Sequence, residues 1–216
     1  MQAQAKIAII YYSMTGHAYQ VARAFEEGAA SAGAETRLRR VRELAPEETI
    51  AKMPDWKAHL DATRDVPEAR LEDLDWANGF VFGAPTRFGA MSAQLKQFLD
   101  QAGPLWAQGK LSGKPVTAFA GAINPHGGQE NTILNIHSVM HHWGAVILPP
   151  GYTDPSISAA GGNPYGVSYT APRGAGEVSK EVLAAARYQG ARIARYAGVL
   201  AANRDLLIPE PTAARN

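Results

Sequence analysis

Lys6-Ile7-Ala8-Ile9-Ile10-Tyr11-Tyr12, followed by Ser13-Met14-Thr15-Gly16-His17-Ala18, is the stretch on which the fold turns. The first seven residues are apolar almost without interruption. A strand covered on both faces reads this way, whereas a half-exposed strand alternates. Hydroxyls and a glycine follow. Between His17 and Ala32 the apolar residues Val21, Ala22, Phe25 and Ala29 then recur at helical spacing, with Gly33 as a plausible stop. A buried strand, a tight turn and an amphipathic helix open a right-handed βαβ unit.

The same grammar repeats. Phe80–Ala84, Val116–Ala120 and Ala145–Leu148 are further near-continuous apolar runs, and Thr36–Val41 is a basic, alternating run suited to a sheet edge. Helical spacing marks Met91, Leu95, Phe98 and Leu99, then Ile133, Ile136 and Met140, then a long final helix from Val178 to Leu200. The expectation is an α/β doubly wound parallel sheet. Arg42–Asp75 is polar and has no firm period. Pro149–Gly176 carries six Gly and five Pro and reads as a long inserted loop. A single domain over 1–203 is expected, with 204–216 as a C-terminal tail that frays from Pro209 onward.

Composition closes off several chemistries. With no Cys, disulfides, thiolate nucleophiles, cysteine-bound zinc and iron–sulfur clusters are excluded together. A formal net charge of +1 gives no long-range pull toward nucleic acid or anionic lipid. No apolar stretch approaches the ~20 residues of a membrane span, and no targeting segment is visible. A cytoplasmic protein is expected. There is no G-x-G-x-x-G after the first strand. Gly113-Lys114 lacks the first glycine and the hydroxyl of a Walker loop, because Gln108 and Pro115 stand there.

Three loops at strand C-termini carry the remaining chemistry. In open α/β sheets that edge receives ligands. Ser13, Met14, Thr15, Gly16, His17 and Ala18 place hydroxyls and backbone amides at a helix N-terminus. This suits a phosphate or, equally, an ordinary N-cap at Ser13 or Thr15. Pro85, Thr86, Arg87, Phe88 and Gly89 offer a rigid, partly cationic and aromatic rim for a planar ligand, or a loop with a core Phe and a solvated Arg. Gly121, Ala122, Ile123, Asn124, Pro125, His126 and Gly127 permit close backbone approach to a flat ring. Trp106 reads as hydrophobic cover or as a stacking surface. His137, His141 and His142 share a helix, but no acidic or cysteine partner has matching spacing, so no metal is expected. A helix packed on a sheet often carries His as a filler; His142, near the helix end, could instead approach the ring site.

Taken in order, several blocks resemble the WrbA-type NAD(P)H:quinone oxidoreductases, which are flavodoxin-like FMN proteins. They are Ser13–His17, Pro85–Ser92, Phe98-Leu99-Asp100-Gln101, His126–Glu130, Gly162-Asn163-Pro164-Tyr165-Gly166 and Ala186-Arg187-Tyr188-Gln189-Gly190. The likeness runs from about Lys6 to about Leu200. It implies a five-stranded parallel sheet in the order 2-1-3-4-5 with FMN across the strand C-termini. Ser13–Ala18 would hold the phosphate, and Thr86, Arg87 and Phe88 would line one side of the isoalloxazine. Gly121–Gly127 would line the other side, with His142 as a flavin contact. Trp106, Thr15 and Phe88 would meet substrate, and NADH or NADPH would be co-substrate to a quinone. The 149–176 insertion would help to build a homotetramer. No side chain need act as a covalent catalyst, since FMN carries the chemistry.

The chain departs from the family at three places. Thr15 stands where an aromatic is common, Gly121 and Ala122 replace hydroxyl residues, and Trp143 replaces a second His. A flavodoxin-type electron carrier is the competing reading, but such carriers are usually strongly acidic and this chain is not.

Overall fold

The computed structural model describes residues 4–174 and 176–208. In chain order its elements are β1 (Lys6–Tyr11), α1 (His17–Ser31), β2 (Glu35–Arg40), α2 (Glu47–Ala51), α3 (Pro54–Ala62), α4 (Leu71–Trp76), β3 (Gly79–Arg87), β4 (Ala90–Met91), α5 (Ala93–Asp100), α6 (Gly103–Ala107), β5 (Pro115–Ala122), α7 (Gln129–Trp143), β6 (Val146–Ile147), α8 (Pro155–Ala159), β7 (Val167–Thr170), α9 (Lys180–Ala202) and α10 (Arg204–Leu207).

β2, β1, β3 and β5 lie side by side, all parallel. The next position is shared. β6 pairs with the start of β5, at Pro115 and Val116, and β7 pairs with its end, from Phe119 to Ala122. Counted as one interrupted edge strand, β6 and β7 complete the flavodoxin-like order 2-1-3-4-5. The interruption has a local cause. Leu148 still donates its amide to Val116 O at 2.8 Å, but Pro149 and Pro150 have no N–H to continue the ladder. The chain therefore leaves the sheet, forms α8, and returns at Val167.

This corrects the reading of 149–176 as a loop throughout, and of Ala145–Leu148 as the whole edge strand. Tyr169 belongs to β7 and is buried in its own chain, while Tyr152 and Tyr165 are exposed. The expected tail also changes, because Arg204–Leu207 is helical and Arg204 donates to Ser112 O at 3.0 Å. Residues 209–216 lie outside the described residues.

Two cores flank the sheet. Ile7, Ile9 and Tyr11 face α1 and α9, while Ala8, Ile10 and Tyr12 face the side of α5 and α7. Both faces of β1 are thus apolar, which is why its sequence does not alternate. α1 and α9 approach closely at Gly28 and Gly190, where any Cβ would strike backbone of the other helix. In the segment without a period, α2 buries nothing and α3 buries only Trp56. So little burial leaves no apolar stripe to read.

Candidate functional site

The C-terminal ends of β1, β3 and β5 open into a cleft of about 750 Å³, within the size range of small-molecule sites. Its best-built wall is the turn from β1 into α1. Ser13 is buried and its Oγ accepts a hydrogen bond from the Gly16 amide at 3.1 Å. Gly16 has φ 103°, a left-handed conformation that a side chain would strain. No side chain caps α1, so Ser13 tightens the turn and leaves the first helical amides open toward the cleft.

His17 begins the helix. Its Nδ1 lies 3.4 Å from Thr15 Oγ1, and its Nε2 is buried with no hydrogen-bond partner among the described residues. Burial lowers the His17 pKa. An orphaned ring nitrogen beside an uncapped helix N-terminus is the donor set that an anion would satisfy. The turn contains no cation, but Arg87 and Arg173 also line the cleft.

β3 continues through Arg87, reverses at Phe88-Gly89 and returns as β4, with Thr86 opposite Met91 and Arg87 opposite Ala90. Phe88 and Gly89 both have positive φ, 52° and 79°. For a phenylalanine that costs roughly 1–2 kcal/mol, and the ring recovers nothing within the chain, because it is fully exposed. Thr86 is a pin. Its Oγ1 accepts from the Gly89 amide at 3.2 Å and from Thr132 Oγ1 at 2.7 Å. Arg87 donates to Thr86 O at 3.1 Å and rests on Met14 Sδ at 3.4 Å, joining the two loops. Gly89 serves the turn and does not line the cleft; its carbonyl accepts from Asn131 Nδ2 at 2.7 Å.

β5 brings Gly121 and Ala122 to the cleft, followed by Ile123, Asn124 and Gly127. Asn124 O accepts from the Gly127 amide at 3.1 Å and from Gln129 Nε2 at 2.8 Å, which folds the loop back on itself. Pro125 and His126 are turned away by that fold and border a neighbouring groove beside β7.

Two expected contacts lie elsewhere. His142 sits at the C-terminal end of α7, whose N-terminus faces the cleft. Thirteen residues at 1.5 Å each separate it from Gln129 by roughly 20 Å. Trp106 is with it, since Trp106 Nε1 donates to His142 O at 2.8 Å. The two residues meet each other, and neither lines the cleft of its own chain.

The structure adds residues that the sequence reading passed over. Met53, Tyr169 and Ala171–Gly174 line the cleft. His59, on α3, stands with Nδ1 against Gly16 and its ring 5.9 Å from Tyr19. Burial, then the charge of His17, lowers its pKa to about 4. Glu43 holds this neighbourhood together. Its Oε2 accepts from Tyr12 Oη at 2.9 Å and Trp56 Nε1 at 3.2 Å. Its Oε1 accepts from Gln94 Nε2 at 2.9 Å and from the Leu44 and Ala45 amides. Burial pushes the carboxyl up, but these bonds outweigh it and leave the pKa below its usual value. Only Glu43 itself, with no apolar pattern around it, could have signalled this role.

Residues 5–156 match the model of the NADPH-dependent FMN reductase family. The chain belongs to that family. It is thus an enzyme, an FMN-linked oxidoreductase with NAD(P)H as electron donor, and the open amides and orphaned His17 nitrogen fit the phosphate of such a cofactor. An NAD(P)H dehydrogenase (quinone) of Deinococcus radiodurans is 48% identical over 171 residues, 79% of this chain and 86% of that protein. One from Sinorhizobium fredii is 43% identical over 202 residues, 91% and 99% of the two chains. A WrbA-like flavodoxin from Agrobacterium tumefaciens shares the fold, with TM-score 0.63 and 22% identity over 90% of this chain and 98% of that one. Among the described residues of this reductase-family chain, no helix is long and apolar enough to cross a membrane.

Proposed function

We infer that the chain reduces quinones at the expense of NAD(P)H, with FMN held in the cleft. The observation that carries this reading is the asymmetry of the cleft. One end has an uncapped helix N-terminus and the unpartnered His17 Nε2. The other is open between Phe88 and Ile123, both more than half exposed. A phosphate suits the first end and a planar ring with a free face suits the second.

In this assignment Ser13–Ala18 bind the phosphate. Pro85–Phe88 flank one side of the ring, and Gly121–Asn124 with Gly127 flank the other. Bound FMN would supply two-electron chemistry, taking a hydride from NAD(P)H at flavin N5 and passing the pair, with a proton from solvent, to a quinone in a ping-pong cycle. Arg87 offsets negative charge near the ring or guides the nucleotide phosphate. Thr15 and Phe88 border the space where substrate enters.

Trp106 and His142 enter only through another subunit. They form an exposed ledge at the opposite end of their own sheet, so their role at a ring requires another subunit, and the homotetramer expected of the chain would bring this ledge to a neighbouring cleft. A chain without cysteine suits the cytoplasm.

The visible spectrum of the purified protein, heat release and identification of its flavin, and anaerobic addition of NADH form the test. FMN that bleaches with NADH or NADPH is expected, with parallel double-reciprocal lines for NAD(P)H against benzoquinone. FAD or no flavin would overturn the assignment. FMN that resists both nucleotides would make the protein a flavodoxin-type carrier. Light scattering at micromolar concentration reads the tetramer directly.

A further inference from the structure

Strand β5 reaches the cleft with Gly121 and Ala122, so its own side chains offer no donor there. The split edge strand fills that place. Tyr169 of β7 is the register partner of Gly121, and its ring lies directly over the bare glycine. A Cβ built at 121 would collide with the Cζ and Cε atoms of the phenol ring. The ring is 6% exposed, lines the cleft, and stands 6.3 Å from the His17 ring at an interplanar angle of 29°. It thereby spans the gap between β5 and the turn after β1, on the sheet face where Ala18 packs.

We propose that Tyr169 is a cofactor-binding residue, whose phenol O–H donates to the phosphate–ribityl arm of FMN from a seat that only glycine at 121 leaves open. This rests on the assignment of FMN to the cleft. The phenol keeps its proton at neutral pH, because burial pushes its pKa up, so it acts as a donor throughout the working range. A neutral hydroxyl also suits a turn that has no cation and already relies on amides and an imidazole. Burial of the same ring between Gly121 and His17 fixes its direction, so little rotamer freedom is lost when the cofactor arrives.

The experiment is titration of flavin-stripped protein, reading quenching of flavin fluorescence, with circular dichroism to confirm that each variant is folded. Tyr169→Phe keeps the ring and removes only the O–H. Its Kd for FMN is expected to rise about 10- to 100-fold, the range for hydrogen bonds to charged groups, with a smaller rise for riboflavin, which lacks the phosphate. Gly121→Ala is expected to weaken FMN in the wild-type background and to add little once Tyr169→Ala has emptied the seat. Tyr169→Phe that binds FMN within twofold of wild type overturns the donor role. A Gly121→Ala cost that is the same with and without Tyr169 overturns the seat. Failure of the wild-type apoprotein to bind FMN at all would instead remove the assignment of the cleft, and this proposal with it. Should Gly121→Ala fail to fold, the Tyr169→Phe comparison of FMN with riboflavin still decides.

Discussion

At the end of the cleft proposed for the phosphate Ser13, Gly16, His17 and Tyr169 brace one another, whereas at the end proposed for the ring Arg87, Phe88 and Ile123 stand in solvent. Both ends are turns that follow buried parallel strands, and both use positive φ. They differ in what answers the strain. Gly16 adopts φ 103° without a side chain to clash, and Ser13 accepts its amide. Phe88 adopts φ 52° with a large ring that stands fully exposed. On the proposed assignment, a single chain completes the end that would grip the cofactor and leaves unfinished the end where substrates would exchange. Residues kept in unfavourable conformations persist where something else makes use of them.

Four substitutions break or sharpen this contrast. Glu43→Ala should have the largest effect, about 3–5 kcal/mol of stability by urea unfolding, because Tyr12 Oη and the buried Trp56 Nε1 lose their acceptor together. It should also loosen α3 over the phosphate end and lower flavin content; full retention of flavin would detach α3 from the grip. Ser13→Ala should weaken FMN binding by about 1–3 kcal/mol, read by titration of the apoprotein. Unchanged affinity would mean that Gly16 holds the turn without help. Trp106→Ala should lower quinone kcat/KM about tenfold, roughly 1.4 kcal/mol, with flavin content intact. Equal loss of flavin would place Trp106 in the grip, and no effect would detach it from the ring end. Phe88→Gly should change the unfolding free energy of the monomer by less than about 1 kcal/mol, with relief of left-handed strain opposing the entropy of the new glycine. A larger loss would show that the ring buries area within one chain.

Much of this was legible in the sequence, for a physical reason. β1, β3 and β5 are covered on both faces, and so Ile7–Tyr11, Phe80–Ala84 and Val116–Ala120 announce themselves as unbroken apolar runs. The turn after β1 could be read because hydroxyls, a glycine and a helical period meet within six residues. β7 could not be read: Val167-Ser168-Tyr169-Thr170 is four residues long and sits amid Gly and Pro, and its strand character comes only from pairing with β5. The part that Tyr169 plays depends on register with Gly121, which no local pattern encodes. Met53 and His59 were hidden in a segment that buries one tryptophan. Trp106 and His142 were read toward the ring from their residue types and from likeness to a family, and their distance from the cleft emerges only when α7 is laid along the sheet.

The broken edge strand has a further effect, on how copies of this chain behave when crowded. A parallel sheet ends in two rows of free amides and carbonyls, and a long row invites a strand from another molecule. Here one row is cut into pieces of two and four residues, separated by α8. The other row, along β2, is covered at its end, where Arg40 exchanges backbone hydrogen bonds with Pro67 and Ala69, and is studded with Arg37 and Arg39, both paired to Asp73. Neither border offers a straight, uncharged run on which a foreign strand could zip. The protein should therefore resist sheet-to-sheet clumping in concentrated solution even after its flavin has been stripped away.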